Sequence, residues 1–310
     1  MATTPIAETT EINANKSLTR RVITGLICAV CYPIVVFLPF ERNLPFAIGV
    51  AIFSVIAASE LYGAARRQGA EPTSFLGYAA CIFFNLAAWY YAGHRPDSYL
   101  PLALALLVII GLIVELARKR HHPMLNLGDT LLGAIYVGWL SSFVTMLCVS
   151  KTSLITIPVA GTSTGAWLVL YVSMMTWGAD TAAMFTGRQF GKHKLAPAVS
   201  PNKTWEGSFG GIIASCLIGL GGANVLHFQL FHGLVLGLLT GSFGLIGDLC
   251  ASVLKRDLGV KDFGGILPGH GGVLDRIDSL ILTAPVAYYY VTLLTRLHSS
   301  VGSGWTTGVN

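Results

Sequence analysis

Charge is the scarcest property of this sequence. Asp, Glu, Lys and Arg together make up 11% of the residues, where a water-soluble domain carries about 25%. So little charge cannot cover a globular surface, and the 310 residues therefore do not read as one or two soluble domains. A disulfide framework is missing too. The cysteines, Cys28, Cys31, Cys81, Cys148, Cys216 and Cys250, all fall in apolar stretches. The C-x-x-C at Cys28 and Cys31 reads as buried thiols in a spanning helix rather than as a metal or redox pair. No A-x-A-like cleavage site follows the first apolar run, so that run reads as an uncleaved anchor and not as a removable leader. The polar stretch Met1 to Lys16 lacks an apolar core and reads as a disordered cytoplasmic tail.

Apolar sequence is what remains. Hydrophobic residues make up 53% of the chain, and the mean hydropathy is +0.65. A spanning helix needs about 20 mostly apolar residues. Nine stretches qualify: 22–39, 44–64, 75–92, 99–117, 129–149, 165–186, 207–226, 232–250 and 279–297. The expected fold is an all-α, polytopic transmembrane helical bundle. Many of the 35 glycines fall inside these stretches, where small residues let helix backbones approach closely. With the N-terminus in the cytoplasm, sixteen of the 20 Lys and Arg residues fall on the cytoplasmic side. That asymmetry is the positive-inside pattern. The organisation expected is a tail (1–20), N-terminal transmembrane helices (21–160), a C-terminal catalytic region (161–298) and a second tail (299–310).

Two internal segments of the second half, about 187–206 and 251–278, are dense in Gly, Pro, Lys, Asp and His. Loops of that kind carry chemistry more often than mere connection. Asp248, Ser252 and Lys255 are spaced i, i+4, i+7 and share a face if the helix runs through them. Asp275, Asp278 and Ser279, spaced i, i+3, i+4, share another. Two acid-bearing helix ends are thus expected to meet at one membrane boundary. Carboxylates there are expensive unless paired or bound to a cation, and hard divalent ions favour oxygen ligands. Asp248, Asp275 and Asp278 are the metal-ligand candidates. Lys255, Arg256, Lys261 and Arg276 offer cationic donors to phosphate, and the glycines around His270 allow backbone close to a ligand. Asp257 and Asp262 read equally well as ion-pair partners of nearby lysines. Upstream, Asp180 is an acid inside a span, which usually has a partner or a job. Ser200-Pro201 resembles a helix N-cap followed by a first-turn proline, so a helix is expected to start there. Its free N–H groups, with Lys203 and Thr204, would make a phosphate cradle.

The run Ser252-Val-Leu-Lys255-Arg256, then Lys261-Asp262, then Leu267-Pro-Gly-His270-Gly-Gly-Val-Leu-Asp275-Arg276-Ile-Asp278 resembles the signature of phosphatidate cytidylyltransferases, also called CDP-diacylglycerol synthases. The Asp180 region and the Ser200-Pro-Asn-Lys203-Thr204-Trp-Glu-Gly stretch resemble it as well, over roughly 165–298. Asn202 departs from it, standing where that family often has a second lysine. The Asp-x-x-Asp-Gly-x-x-Ala-Arg pattern of CDP-alcohol phosphotransferases is not found.

The resemblance implies transfer of CMP from CTP to phosphatidic acid, giving CDP-diacylglycerol and pyrophosphate. Asp248, Lys255, Arg256, His270, Asp275, Arg276 and Asp278 would be the catalytic set. Asp180, Ser200, Lys203, Thr204, Ser252, Lys261 and Asp262 would bind substrate. Mg²⁺ is the expected cofactor, with room for a second cation, and His270 would either orient a phosphate or act as an acid–base group. Expected partners are CTP, phosphatidic acid and the bilayer, with no nucleic acid and with a homodimer left open. The expected location is a bacterial inner membrane, with the site facing the cytoplasm. The rival readings are another CTP-dependent lipid nucleotidyl- or phosphotransferase, and a transporter. A transporter should place its acids at corresponding midplane positions of two repeats, whereas the acids here crowd one end of one half.

Overall fold

The computed structural model describes residues 30–38, 43–91, 100–118, 121–156, 159, 161–266 and 271–303. His270 and the tail at 1–20 lie outside the described residues, as does most of the tail at 299–310. The fold is helical, as expected, and almost wholly so. Helix α1 is described over 30–36. It is followed by α2 (Leu44–Arg67), α3 (Ser74–Tyr91), α4 (Leu100–Arg118), α5 (Pro123–Leu132) and α6 (Leu140–Val149). A π-helical turn, Gly133–Trp139, joins α5 to α6, so that Pro123–Val149 is one continuous helix. Then come α7 (Thr164–Phe190), the strands β1 (Lys194–Ala196) and β2 (Ser200–Thr204), α8 (Trp205–Val225), α9 (Leu230–Asp257) and α10 (Leu274–Ser303).

Among the described residues, seven helices are long and apolar enough to cross a membrane. They correspond to seven of the nine expected spans. Helix α3 forms where a span is expected, but Asn85 and the Trp89-Tyr90-Tyr91 end dilute its apolar character. The stretch 22–39 is described only in its second part. Large apolar side chains cover the outside of the bundle, such as Leu112, Ile113 and Leu116 on α4. Water would not tolerate that surface and lipid does, because the helices satisfy their own backbone groups. The protein is an integral membrane protein.

The second half is held by close backbone approach. A Cβ added to Gly211 would lie 2.8 Å from the carbonyl oxygen of Ala179, bringing α8 against α7. One added to Gly237 would lie 2.6 Å from the Ser215 carbonyl oxygen, bringing α9 against α8. At Gly247 it would meet the Asp278 carbonyl oxygen at 2.7 Å, bringing α9 against α10. Hydrogen side chains at these three crossings stack α7 to α10 in sequence. Polar side chains add cross-links, including Ser215 with Thr240 at 3.0 Å and Thr176 with Thr283 at 3.2 Å.

The region expected as an internal loop after Asp180 is mostly ordered structure. Helix α7 continues to Phe190, and β1 and β2 form an antiparallel hairpin in which Lys194 pairs with Thr204. The Ser200-Pro201 pair does not open a helix, which corrects the expectation from sequence. Ser200 lies in β2, opposite Ala196. The cap is Thr204, whose side chain accepts a hydrogen bond from Gly207 N at 3.1 Å. Glu206 stands in the first turn, where the helix dipole favours an acid.

The glycine crossings give a direct test. Gly247→Val forces α9 away from α10 and is expected to destabilise the protein by about 1–3 kcal/mol, seen as a lower melting temperature in detergent. Gly221→Ala, at a site where an added Cβ meets nothing within 4 Å, should leave the melting temperature unchanged.

Candidate active site

The helices place the sequence-predicted acids together at the end of the bundle where α9 stops and α10 begins. Helix α9 runs through Asp248, Ser252 and Lys255, so these share a face as the spacing requires. Asp275 and Asp278 occupy the first turns of α10. Asp180 comes from the second half of α7 and is exposed, whereas Asp278 is buried. Asp180, Asp248 and Asp278 lie near enough for their charges to act on one another. The Ser279 side chain, buried at the same crossing, interacts with the Asp180 carboxylate.

Two lysines answer these acids. Lys203, at the end of β2, forms an ion pair with Asp248. Lys255 pairs with Asp275 at 2.9 Å and lies 5.6 Å from the centre of the Phe263 ring. The other oxygen of Asp275 accepts from the Phe263 N–H at 3.0 Å and from the Gly272 N–H at 3.1 Å. Asp275 therefore fastens the loop before α10 to the end of α9. Such a buried, multiply bonded pair is strongly destabilised when one member is lost.

The hairpin that carries Lys203 is itself pinned. The Glu206 carboxylate accepts from the Lys192 N–H at 3.1 Å and lies 2.6 Å from Nδ1 of His193. Arg256 Nε donates to the Val199 carbonyl at 3.0 Å, tying the hairpin turn to the end of α9. Thr204 is buried and engaged in capping α8. Ser200 is half-buried, and Lys261, Asp262 and Arg276 are exposed around the rim.

Sequence reasoning passed over two residues of the first half. Glu60 of α2 is buried at 6% exposure, and its Oε2 accepts from the Leu274 N–H at 3.0 Å at the start of α10. A Cβ at Gly272 would lie 2.6 Å from Glu60 Oε2 and 2.9 Å from Asp275 Oδ2, so this position has space only for hydrogen. Arg67 and Gln68, at the end of α2, donate to the carbonyls of Phe263 at 3.2 Å and Leu258 at 3.0 Å. Helix α2 thus grips the same loop from the other side. The signal for Glu60 was present, because the rule that singles out Asp180 applies to any acid within a span. The second residue, Tyr136, gives no such signal, since a tyrosine in an apolar run reads as core.

The donor set suits a hard divalent cation. Three carboxylates lie near one another, and Mg²⁺ usually takes one or two of them while water and substrate phosphates complete its shell. Among the described residues no group of three or more His, Cys, Asp and Glu side chains is placed to hold a metal ion by itself, so a cation here would draw the rest of its shell from water and substrate.

The model of the cytidylyltransferase family matches residues 19–294. The chain is similar to a protein named phosphatidate cytidylyltransferase from Synechocystis sp., with 32% identity over 266 residues, covering 80% of this chain and 89% of that protein. It is similar to another of that name from Bacillus subtilis, with 29% identity over 280 residues, covering 89% and 98%. It is also similar to the uncharacterized protein YnbB of Escherichia coli, with 34% identity over 289 residues, covering 88% and 87%.

Asp275→Ala leaves Lys255 unpaired and frees the Phe263–Gly272 loop. A loss of about 3–5 kcal/mol of stability is expected, read as a lower melting temperature before any activity is measured. Asp262→Ala, on the exposed part of the loop, should leave melting unchanged.

Proposed function

This chain belongs to the cytidylyltransferase family, and from that premise we propose that it converts CTP and phosphatidic acid to CDP-diacylglycerol and pyrophosphate. A phosphate oxygen of phosphatidic acid forms a bond to the α-phosphorus of CTP. The bond from that phosphorus to the oxygen leading to the β-phosphate breaks, and pyrophosphate leaves with the electron pair. The attacking phosphate is already anionic near neutral pH and needs little help from a base. The difficulty is bringing two anions together, so the protein's task is positioning and charge compensation.

The observation that supports this best is the meeting of Asp180, Asp248 and Asp278 with Lys203, from two helices before the last loop, one after it and a hairpin. Lys203 and Asp248 neutralise each other and can exchange partners, the ammonium for a phosphate and the carboxylate for a cation. Asp248 and Asp278 would hold Mg²⁺, with Asp180 beside them. When bound, the metal would supply charge neutralisation for the polyphosphate and the departing pyrophosphate. Asp275, with both oxygens engaged, fixes Lys255 and the glycine loop so that Lys255 presents its charge at a set place. Arg256, held to the hairpin through Nε, brings its remaining N–H groups to the phosphates, and Arg276 adds charge at the rim. His270, within the glycine-rich loop, orients a phosphate or moves a proton there.

The diacyl chains of phosphatidic acid stay in lipid while the head group enters at the interface. The Lys and Arg bias supports a cytoplasmic position for this end of the bundle, and a bacterial inner membrane is the location proposed.

Purified protein given labelled CTP, Mg²⁺ and phosphatidic acid is expected to place label in the organic phase, and omission of either substrate or chelation of the metal should abolish this. Asp248→Asn should lower turnover at least about a hundredfold with little change in melting temperature. CTP label that never enters lipid would sink the proposed reaction. Near-normal turnover in Asp248→Asn would remove that carboxylate from the site.

A further inference from the structure

One buried polar group near the acids has no partner. Tyr136 lies on the π-helical turn Gly133–Trp139, midway along the continuous helix Pro123–Val149. It is 7% exposed and packs in the cluster that contains Phe263, Val273, Leu274 and Ile281. Its hydroxyl is fully buried and makes no hydrogen bond. The ionisable groups that face it are Asp278 first, then Cys250, Asp248 and Asp275. The ring therefore packs beside the last loop and the start of α10, within range of the charges of those carboxylates.

Native proteins leave very few buried hydroxyls unsatisfied, because the desolvation of the group is then uncompensated. Single π-turns are also uncommon, and they concentrate where a side chain must be placed for function. Both unusual features fall on the same residue. A phenol suits this place chemically. Its O–H is a donor, which carboxylates do not supply, and it is neutral, so it needs no counter-ion.

We propose that the Tyr136 hydroxyl donates a hydrogen bond to a phosphate oxygen of a bound substrate. The inference rests on the acid cluster being the phosphate site. It assigns a substrate-binding group to the first half of the chain, so the C-terminal helices alone do not complete the site. The phosphate belongs either to CTP or to phosphatidic acid, and the chemistry of the contact is the same in both.

The test is Tyr136→Phe in the full-length protein in lipid nanodiscs. Melting temperature without substrate, CTP affinity by calorimetry, and KM for each substrate are measured beside wild type. The melting temperature should be unchanged or raised, since only an unsatisfied hydroxyl is removed. Affinity for one substrate should weaken by about ten- to a hundredfold. Weaker CTP binding assigns the contact to the CTP phosphates. Unchanged CTP binding with a raised KM for phosphatidic acid assigns it to the lipid phosphate. A lower melting temperature shows a structural partner for the hydroxyl and overturns the inference. So does an unaltered variant beside an active wild type, which leaves the proposed reaction standing. A wild type that binds no CTP takes down both.

Discussion

A carboxylate carried into an apolar bundle must be matched by a cation, by backbone N–H groups or by a ligand. The working end of this protein is built on that requirement. Asp248 is matched by Lys203 from the hairpin. Asp275 is matched by Lys255 and by two N–H groups of the loop before α10. Glu60 is matched on one oxygen by the first N–H of α10. In each case the partner belongs to a different element, so satisfying the charge also fixes the relative position of the elements. Asp278 is matched on one oxygen by the Ser279 N–H, and the charges of Asp180 and Asp278 act on each other and on Asp248.

Close packing makes these matches reachable. Lysine and aspartate side chains from α9 and α10 meet because Gly247 lets the two backbones touch. The same device at Gly211 and Gly237 stacks α7 and α8 onto them. The outer helices behave differently. Helix α4 buries little besides Leu107, Gly111 and Glu115, and presents the rest of its apolar surface outward. Its one deep acid, Glu115, accepts from Thr73 at 3.1 Å and serves the join between helices. Tight backbone contact recurs through α7 to α10, and in the first half it appears at Gly138, where an added Cβ would lie 3.0 Å from the Cys81 Cα.

Much of this was legible in the sequence, for identifiable reasons. Helix content follows from the apolar runs, and the shared face of Asp248, Ser252 and Lys255 follows from helical periodicity. The glycines within spans announce close crossings. Boundaries were less legible. Ser200-Pro201 has the form of a helix start, yet Thr204 caps α8 because the chain between them pairs with Lys194–Ala196. Strand pairing is a tertiary fact, and local capping propensity does not register it. Tyr136 was invisible for a related reason. Its role depends on a π-turn and on acids more than a hundred residues away, and neither has a local signature. Glu60 was legible in principle, as an acid inside a span, but its target lies in the last loop of the chain.

The contact between Glu60 and the glycines has a consequence for inheritance. Gly264 and Gly272 flank the carboxylate so closely that a methyl group at either would collide with it, the Glu60 Cγ standing 2.6 Å from a Cβ at Gly264. The two ends of the gene are therefore not separable modules. A hybrid that joined a foreign amino-terminal half to this carboxy-terminal half would need an acid at the matching turn of its second helix. Without one, the slot beside the glycines would be left hollow and the N–H of Leu274 stranded.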